Sequence, residues 1–379
     1  MTASPRLRLA MIGGGPGSMI GAVHRFATRL DDRYELVAGV FSTRAEANRQ
    51  TAAELLLDPS RCYDDYQQLV NAEAQRADGA QVVAITTPNH SHYDIACACI
   101  EAGLDVVCEK PMTVTLKEAE DLAKRLQNSR SRLVLMHNYC GYPLVQHARD
   151  LVLRGELGRI RSVQVEYVQD WLSEVPDADN KQAAWRLDPK RAGAAGALGD
   201  IGTHAFQLAC FISGLKLNAV SADLSAMVSG RTLDDNVHAL LRFEGGAKGM
   251  LWASQTSPGF ENALRIRVIG ETASLAWAQE NPNELWFAPL HGAAQRLTRR
   301  ADRIGADAGR SVRLPPGHPE GYLEGFANLY QALADGVSGQ ADGGWLPDHS
   351  TGVDGLRFIE ATLQSNQANG AWTPLGGAA

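Results

Sequence analysis

The chain has 379 residues, of which 45% are hydrophobic and 21% charged, and its formal net charge is −7. On a prior of about 150 residues per domain that suffices for two domains with sizeable cores, and with no apolar run long enough to cross a bilayer it reads as soluble and globular, with no membrane partner. The acidic balance, without any dense basic stretch, argues against nucleic acid as a partner.

Met1 to Pro5 lead directly into a strand, without the apolar core and cleavage site of a signal peptide. The six cysteines include no C-x-x-C pair and are read as reduced thiols, so a cytoplasmic location and no metal site are expected. A strand over 7–12 ends in Gly13-Gly14-Gly15-Pro16-Gly17-Ser18, and a helix pattern follows from about residue 20 through Ala22, Val23 and Phe26. Strand, glycine turn and helix form the context of a dinucleotide fingerprint, because glycines let the backbone approach a pyrophosphate and the helix start supplies N–H donors. Gly13, Gly15, Pro16 and Ser18 are therefore candidate cofactor contacts. The third glycine comes only at Gly21, which makes the turn about three residues longer than the usual one.

The next strand, over 34–41, is followed by Ser42, Thr43 and Arg44. A carboxylate at this tip would bind the ribose hydroxyls of NAD, whereas small hydroxyls and an arginine accommodate the 2′-phosphate of NADP. With no carboxylate present, NADP is expected ahead of NAD. A strand over 80–85 leads to Thr87-Pro88-Asn89-His90-Ser91-His92 and a helix over 93–102. Then come a strand over 105–108, Glu109-Lys110-Pro111, a helix over 116–127, and a strand over 132–136 ending in His137-Asn138-Tyr139. Such alternation predicts a parallel sheet covered on both faces by helices. Lys110 falls at the carboxyl end of a buried strand, where an open parallel sheet binds its ligand, and Pro111 biases it toward an extended backbone.

Thr87 to His92, with Glu109-Lys110-Pro111 following at the expected distance, resembles the glucose-fructose oxidoreductase and inositol dehydrogenase (Gfo/Idh/MocA) family of NAD(P)-dependent sugar oxidoreductases, over nearly the whole chain. The resemblance implies an N-terminal Rossmann-type doubly wound domain over 1–139 and a C-terminal α+β domain over 140–379 for substrate and oligomerisation. It also implies that Thr87, Pro88, Asn89, His92, Glu109, Lys110 and Asn138 line the cofactor.

In the second part, a helix follows Pro143, and strands are expected over 160–168, 218–228, 236–243, 247–254 and 263–270, with helices over 322–336 and near 354–365. Their period-two alternation predicts one large, mostly antiparallel sheet. Its uncovered face marks an interface, and the family resemblance implies a homodimer or homotetramer there. Asp200 and His204, four apart at a helix start, would share one face. A carboxylate beside an imidazole suits a general base. Both match a second family signature, which implies that they face the nicotinamide with Lys110. Trp185 and Arg186 resemble a family element that packs near cofactor and substrate, and Tyr139, Asp170 and Trp171 are candidate sugar contacts.

The resulting expectation is an α/β oxidoreductase that moves a hydride between nicotinamide and a hydroxyl carbon of a sugar, glycoside or polyol. Lys110 or His204 accepts the proton. The alternatives are a non-catalytic, NAD(P)- or sugar-binding regulator of the same fold and a glycosidase working through an NAD-dependent redox cycle.

Overall fold

The computed structural model describes residues 6–177, 180–300 and 304–376, so the reading of Met1 to Pro5 lies outside them. The chain forms two compact units, residues 1–136 with 326–353, and residues 137–325 with 354–379. The expected boundary at 139 thus falls three residues late, and the stretch 326–353, assigned from sequence to the second domain, belongs to the first unit.

In the first unit β1 (Leu7–Gly13), β2 (Tyr34–Val40), β3 (Val82–Thr86), β4 (Asp105–Cys108) and β5 (Leu133–Leu135) form a parallel sheet in the order β2-β1-β3-β4-β5. Val82, Val83, Ala84 and Ile85 are fully buried, as a strand covered on both faces requires. The order reverses direction at β1, so the connections leaving the carboxyl ends of β1 and β3 run to opposite sides, which is where open α/β sheets bind their ligands. The helix Leu116–Gln127 starts with a capping box, Thr115 and Glu118 each satisfying the other's backbone N–H, which is worth about 1 kcal/mol. Helix Met19–Leu30 forms as its pattern predicts, with a different inner face. It buries Gly21, Val23, His24, Ala27 and Thr28, and leaves Phe26 exposed.

The segment 326–353 is tied into this unit by polar contacts. Tyr34 donates its hydroxyl hydrogen to the Tyr330 carbonyl at 2.7 Å, Arg33 pairs with Asp335 at 2.6 Å, and the Leu135 N–H donates to the Pro347 carbonyl at 2.9 Å. Nothing in its sequence separates this stretch from the helix pattern around it.

The second unit holds nine strands among the described residues: β6 (Ile160–Val168), β7 (Leu217–Ser225), β8 (Asn236–Phe243), β9 (Lys248–Ser254), β10 (Ala263–Gly270), β11 (Ala273–Ala278), β12 (Glu284–Pro289), β13 (Gln295–Thr298) and β14 (Thr373–Pro374). Their order is β13-β12-β11-β10-β6-β9-β8-β7-β14, antiparallel except for β6 beside β9. The last four, β11 to β14, were not anticipated. Two of them are four residues or shorter, too brief for an alternation to register.

Along β8, Val237, Ala239, Leu241 and Phe243 are buried while His238, Leu240 and Arg242 are exposed. Phe206 and Phe358, from helices Thr203–Ser213 and His349–Gln367, stack at 4.4 Å. Leu240 faces Met250 across strands, each about half exposed, and Trp286, also half exposed, stands further along the same row beyond Gln164, Arg267 and Ala276. No helix of the described residues is long and apolar enough to cross a membrane.

Candidate functional site

In the first unit the glycine turn shows why its residues are glycines. Gly13, Gly14 and Gly17 take φ of 94°, 78° and 79°, which side chains rarely adopt. A Cβ on Gly15 would meet the Phe41 carbonyl oxygen at 2.3 Å, and one on Gly21 would meet the Gly14 Cα at 2.3 Å. Gly21, three residues beyond the usual position, supplies the close packing of helix on turn, so the long turn keeps the fingerprint's mechanics. Ser18 caps the helix by accepting from the Gly21 N–H at 3.2 Å. A cavity of about 430 Å³ opens here, lined by Gly14, Gly15, Pro16, Gly17, Ser18 and Arg25 among others. Arg25, which sequence reading missed, donates to the Gly14 carbonyl at 2.8 Å. A bare backbone, a helix start and a cationic wall fit the pyrophosphate of a dinucleotide.

Ser42 is half-buried and Thr43 and Arg44 are exposed at the tip of β2, where the Arg44 N–H donates to the Ser42 Oγ at 3.1 Å. After β3, Ser91 Oγ donates to the Thr87 Oγ1 at 2.8 Å and the Pro88 carbonyl at 2.9 Å, while Asn89 is buried. His92, an expected cofactor contact, is fully buried, with Nε2 2.9 Å from the Thr87 carbonyl oxygen and Nδ1 2.8 Å from that of Pro111. Each ring nitrogen faces a carbonyl, one in the turn after β3 and one in the turn after β4, so His92 is a strut between them. Burial pushes its pKa down, against those two carbonyls.

Glu109 is also held by its neighbours. Its carboxylate accepts from His24 Nε2 at 2.8 Å and from the Lys110 N–H at 3.3 Å, and it is 9% exposed. Lys110 itself is half-buried, and the bond to Pro111 is cis.

In the second unit Asp200 lies on a π-helical turn, Leu198–Gly202, and His204 on the α-helix Thr203–Ser213 that continues it. A π turn bonds i to i+5, so the four-residue spacing is not that of one α-helical face as expected from sequence. The turn is set by half-buried Asp234, whose carboxylate accepts from the N–H groups of Gly196 and Leu198, both at 2.7 Å. Burial raises the Asp234 pKa despite these bonds. A Cβ on Gly196 would meet the Asp234 carbonyl oxygen at 2.1 Å.

Asp200 Oδ2 accepts from Arg186 Nε at 3.0 Å and from Gln255 Nε2 at 2.9 Å. The Arg186 guanidinium lies 4.3 Å above the Trp185 ring and 5.7 Å from that of Trp171. Asp200, Trp171, Trp185 and Arg186 thus form one group, and Arg186 serves it as the ion-pair partner of Asp200. Trp171 is 39% exposed and donates to Gln169 at 3.0 Å, while the Asp170 carboxylate accepts from the Gly259 N–H at 3.4 Å.

His204 is buried with its Nδ1 3.5 Å from Nδ1 of His137, and the Tyr139 ring stands edge-on to it at 5.0 Å. Tyr139 is no open platform. Its hydroxyl meets that of Tyr167 at 2.5 Å, and Tyr167 donates to Asn262 at 2.9 Å. Burial raises both phenols, so they remain neutral hydrogen-bonding groups. Asn138 is buried, and its amide nitrogen has no acceptor among the described residues. His318 is exposed, its ring turned back to the Pro315 carbonyl.

Among the described residues no three His, Cys, Asp or Glu side chains are grouped to hold a metal ion. His137, Tyr167, Asp234, Gln255 and Asn262 were missed. They come from separate strands and loops and follow no local motif, His137 excepted, which adjoins the Asn138-Tyr139 pair at the end of β5.

Comparison with known proteins gives the same two parts. Residues 7–137 match the oxidoreductase family with an NAD-binding Rossmann fold, and residues 145–276 match the GFO/IDH/MocA C-terminal domain. The chain is 34% identical to the uncharacterized oxidoreductase YfiI of Bacillus subtilis over 97% of each chain. It is 45% identical to an oxidoreductase from Sinorhizobium meliloti, covering 97% of this chain and 99% of that one with a TM-score of 0.89. An inositol dehydrogenase homolog from Azotobacter vinelandii, in complex with NADH and myo-inositol, is 36% identical over 98% of each chain, with a TM-score of 0.90. The chain therefore belongs to the Gfo/Idh/MocA family of oxidoreductases, with an NAD-binding Rossmann domain at its N-terminal end.

Proposed function

We propose that this protein is a nicotinamide-dependent dehydrogenase acting on a hydroxyl-bearing carbon of a sugar, glycoside or polyol. The observation that carries the reading is the cavity of about 430 Å³ along the glycine turn at the start of helix Met19–Leu30, in a chain that also presents a buried imidazole, His204. The relative that holds NADH with myo-inositol makes cyclic polyols the first substrates to try.

When bound, the nicotinamide supplies hydride transfer. The protein's residues manage the proton and the charge. Lys110 hydrogen-bonds the reacting oxygen and stabilises negative charge on it. His204 takes the hydroxyl proton, with Lys110 as the alternative acceptor, and Asp200, held by Arg186 and Gln255, orients a substrate hydroxyl. Trp171 offers an exposed indole for a sugar face. NADP is favoured over NAD because Ser42, Thr43 and Arg44, without a carboxylate, follow β2. The open face with Leu240, Met250 and Trp286 suits a homo-oligomer contact.

Purified protein is mixed with NADP or NAD and a panel of polyols and sugars, and the reduced cofactor is followed by absorbance. Reduced cofactor formed in step with oxidised substrate supports the reading. Silence across the panel, with sugar binding seen by calorimetry, supports a regulator instead. Cleavage of a glycosidic bond without net cofactor consumption supports a redox-cycle glycosidase.

A further inference from the structure

Next to Lys110 runs a chain of buried polar groups that the proposed reaction does not use. His24 Nε2 stands 2.8 Å from Glu109 Oε1, and His24 Nδ1 stands 2.7 Å from the Tyr330 hydroxyl. His24 is 0% exposed and Tyr330 1%. A carboxylate only accepts, so Nε2 carries the proton that it donates to Glu109. A neutral ring then leaves Nδ1 as an acceptor, which the Tyr330 hydroxyl fills. Burial holds the Tyr330 phenol well above its ordinary pKa, so its proton stays on oxygen. The second carboxylate oxygen, Oε2, accepts from the Lys110 backbone N–H at 3.3 Å. In that tautomer every proton in the chain has one place.

The surroundings hold that arrangement still. The Phe326 ring stands edge-on to His24 at 5.3 Å, the Tyr34 ring edge-on to Tyr330 at 5.2 Å, and Tyr34 donates to the Tyr330 carbonyl at 2.7 Å. The Glu109 N–H donates to the Ile85 carbonyl at 3.0 Å, so both the backbone and the side chain of Glu109 are anchored. Lysine has a long, flexible stem, and presenting its ammonium in one direction requires a fixed base.

We propose that His24 and Tyr330 are positioning residues for Lys110: they lock the Glu109 carboxylate, which in turn fixes the main chain from which the lysine is presented. The assignment rests on the role given to Lys110 above. It makes residue 330, delivered by a segment more than two hundred residues downstream, part of the equipment around the lysine.

The test uses the full chain. Nitrogen-15 spectra of the His24 ring at neutral pH are expected to show the tautomer protonated at Nε2. Tyr330→Phe removes one hydroxyl and keeps the ring, His24→Leu removes both nitrogens, and His24→Gln restores a donor near the Nε2 position. Tyr330→Phe and His24→Leu are expected to lower kcat by about 10- to 100-fold, with the dissociation constant of the cofactor within about twofold, and His24→Gln to recover most of the loss. A ring protonated at Nδ1 would overturn the proposal, and so would folded Leu and Phe variants with kcat within about twofold of the parent.

If His24→Leu does not fold, Tyr330→Phe and the tautomer decide. A parent protein that turns over no polyol or sugar defeats the reading of function. The positioning role is then read from the rate at which Lys110 is acetylated by acetic anhydride, followed by mass spectrometry. A rate changed by Tyr330→Phe supports the proposal, and an unchanged rate overturns it.

Discussion

Lys110 and Asp200 are both held by buried or half-buried polar neighbours, but those neighbours are gathered in different ways. Around Lys110 the parts are strand-end turns taken in chain order: Gly13 to Ser18 after β1, Thr87 to His92 after β3, and Glu109 to Pro111 after β4. Asp200 is held by Arg186, 14 residues earlier, and Gln255, 55 residues later, on a turn capped by Asp234. A parallel sheet points every second turn at the same edge, so a short motif carries its own placement. A mixed sheet places a side chain only once the register of several strands is known.

The largest effects should come from the proton-handling residues themselves. Lys110→Ala and His204→Ala are each expected to reduce turnover by roughly two to four orders of magnitude with cofactor affinity largely kept, measured by steady-state kinetics and fluorescence titration. The two regions then separate at the next shell. Arg186→Ala leaves the Asp200 charge without its guanidinium, so it should cost nearly as much as Asp200→Ala, and the double variant little more than either alone. Additive losses in that cycle would show that Arg186 and Asp200 act apart.

That contrast also explains what could be read in advance. The parallel sheet, the glycine turn and the position of Lys110 just after β4 were legible because each rests on contiguous residues with a fixed meaning: a glycine for a close approach, an apolar run for a buried strand. The ion pair Arg186–Asp200 was not, since Trp185-Arg186 and Asp200 were seen as separate elements and nothing in the spacing joins them. The π turn at Leu198–Gly202 was read as plain helix because it differs from one by a single residue of hydrogen-bond register, fixed by Asp234 from a distant loop. His92 and Glu109 stand in the motif expected at the cofactor, but the motif does not show that their side chains also brace the turns, His92 against the Pro111 carbonyl and Glu109 against His24.

A smaller effect tests how much of the first region resides in its turn. In Gly21→Ala the new methyl meets the Gly14 backbone at 2.3 Å, and backbone cannot swing aside as a flexible side chain would. The helix must shift away from the turn, with an expected cost of about 1–3 kcal/mol in stability and a cofactor dissociation constant raised about tenfold. Gly17→Ala is the control. No atom lies within 4 Å of its added methyl, but φ is 79°, so only backbone strain of about 1–2 kcal/mol is expected. If Gly21→Ala binds cofactor as tightly as the parent, the close approach of helix and turn is not what the glycine is for.

The smallest effect compares one buried histidine in each unit. Burial lowers the pKa of both His92 and His147 from the ordinary value of 6.5. The folded protein therefore binds fewer protons than the unfolded chain as pH falls through that value, so stability is complete above it and is lost on acidification. The neighbours differ. His92 faces two carbonyls and feels Glu109, all of which favour its cation, while His90 opposes it. His147 Nδ1 accepts from the Gly305 N–H at 3.3 Å, a bond that protonation abolishes, with Asp150 favouring and Arg154 opposing the cation. Thermal unfolding between about pH 7 and about pH 5 should thus flatten more in His147→Gln than in His92→Gln, relative to the parent. The reverse order would mean that the carbonyls around His92 do not offset its burial, and that the strut between the turns after β3 and β4 is the more acid-sensitive of the two.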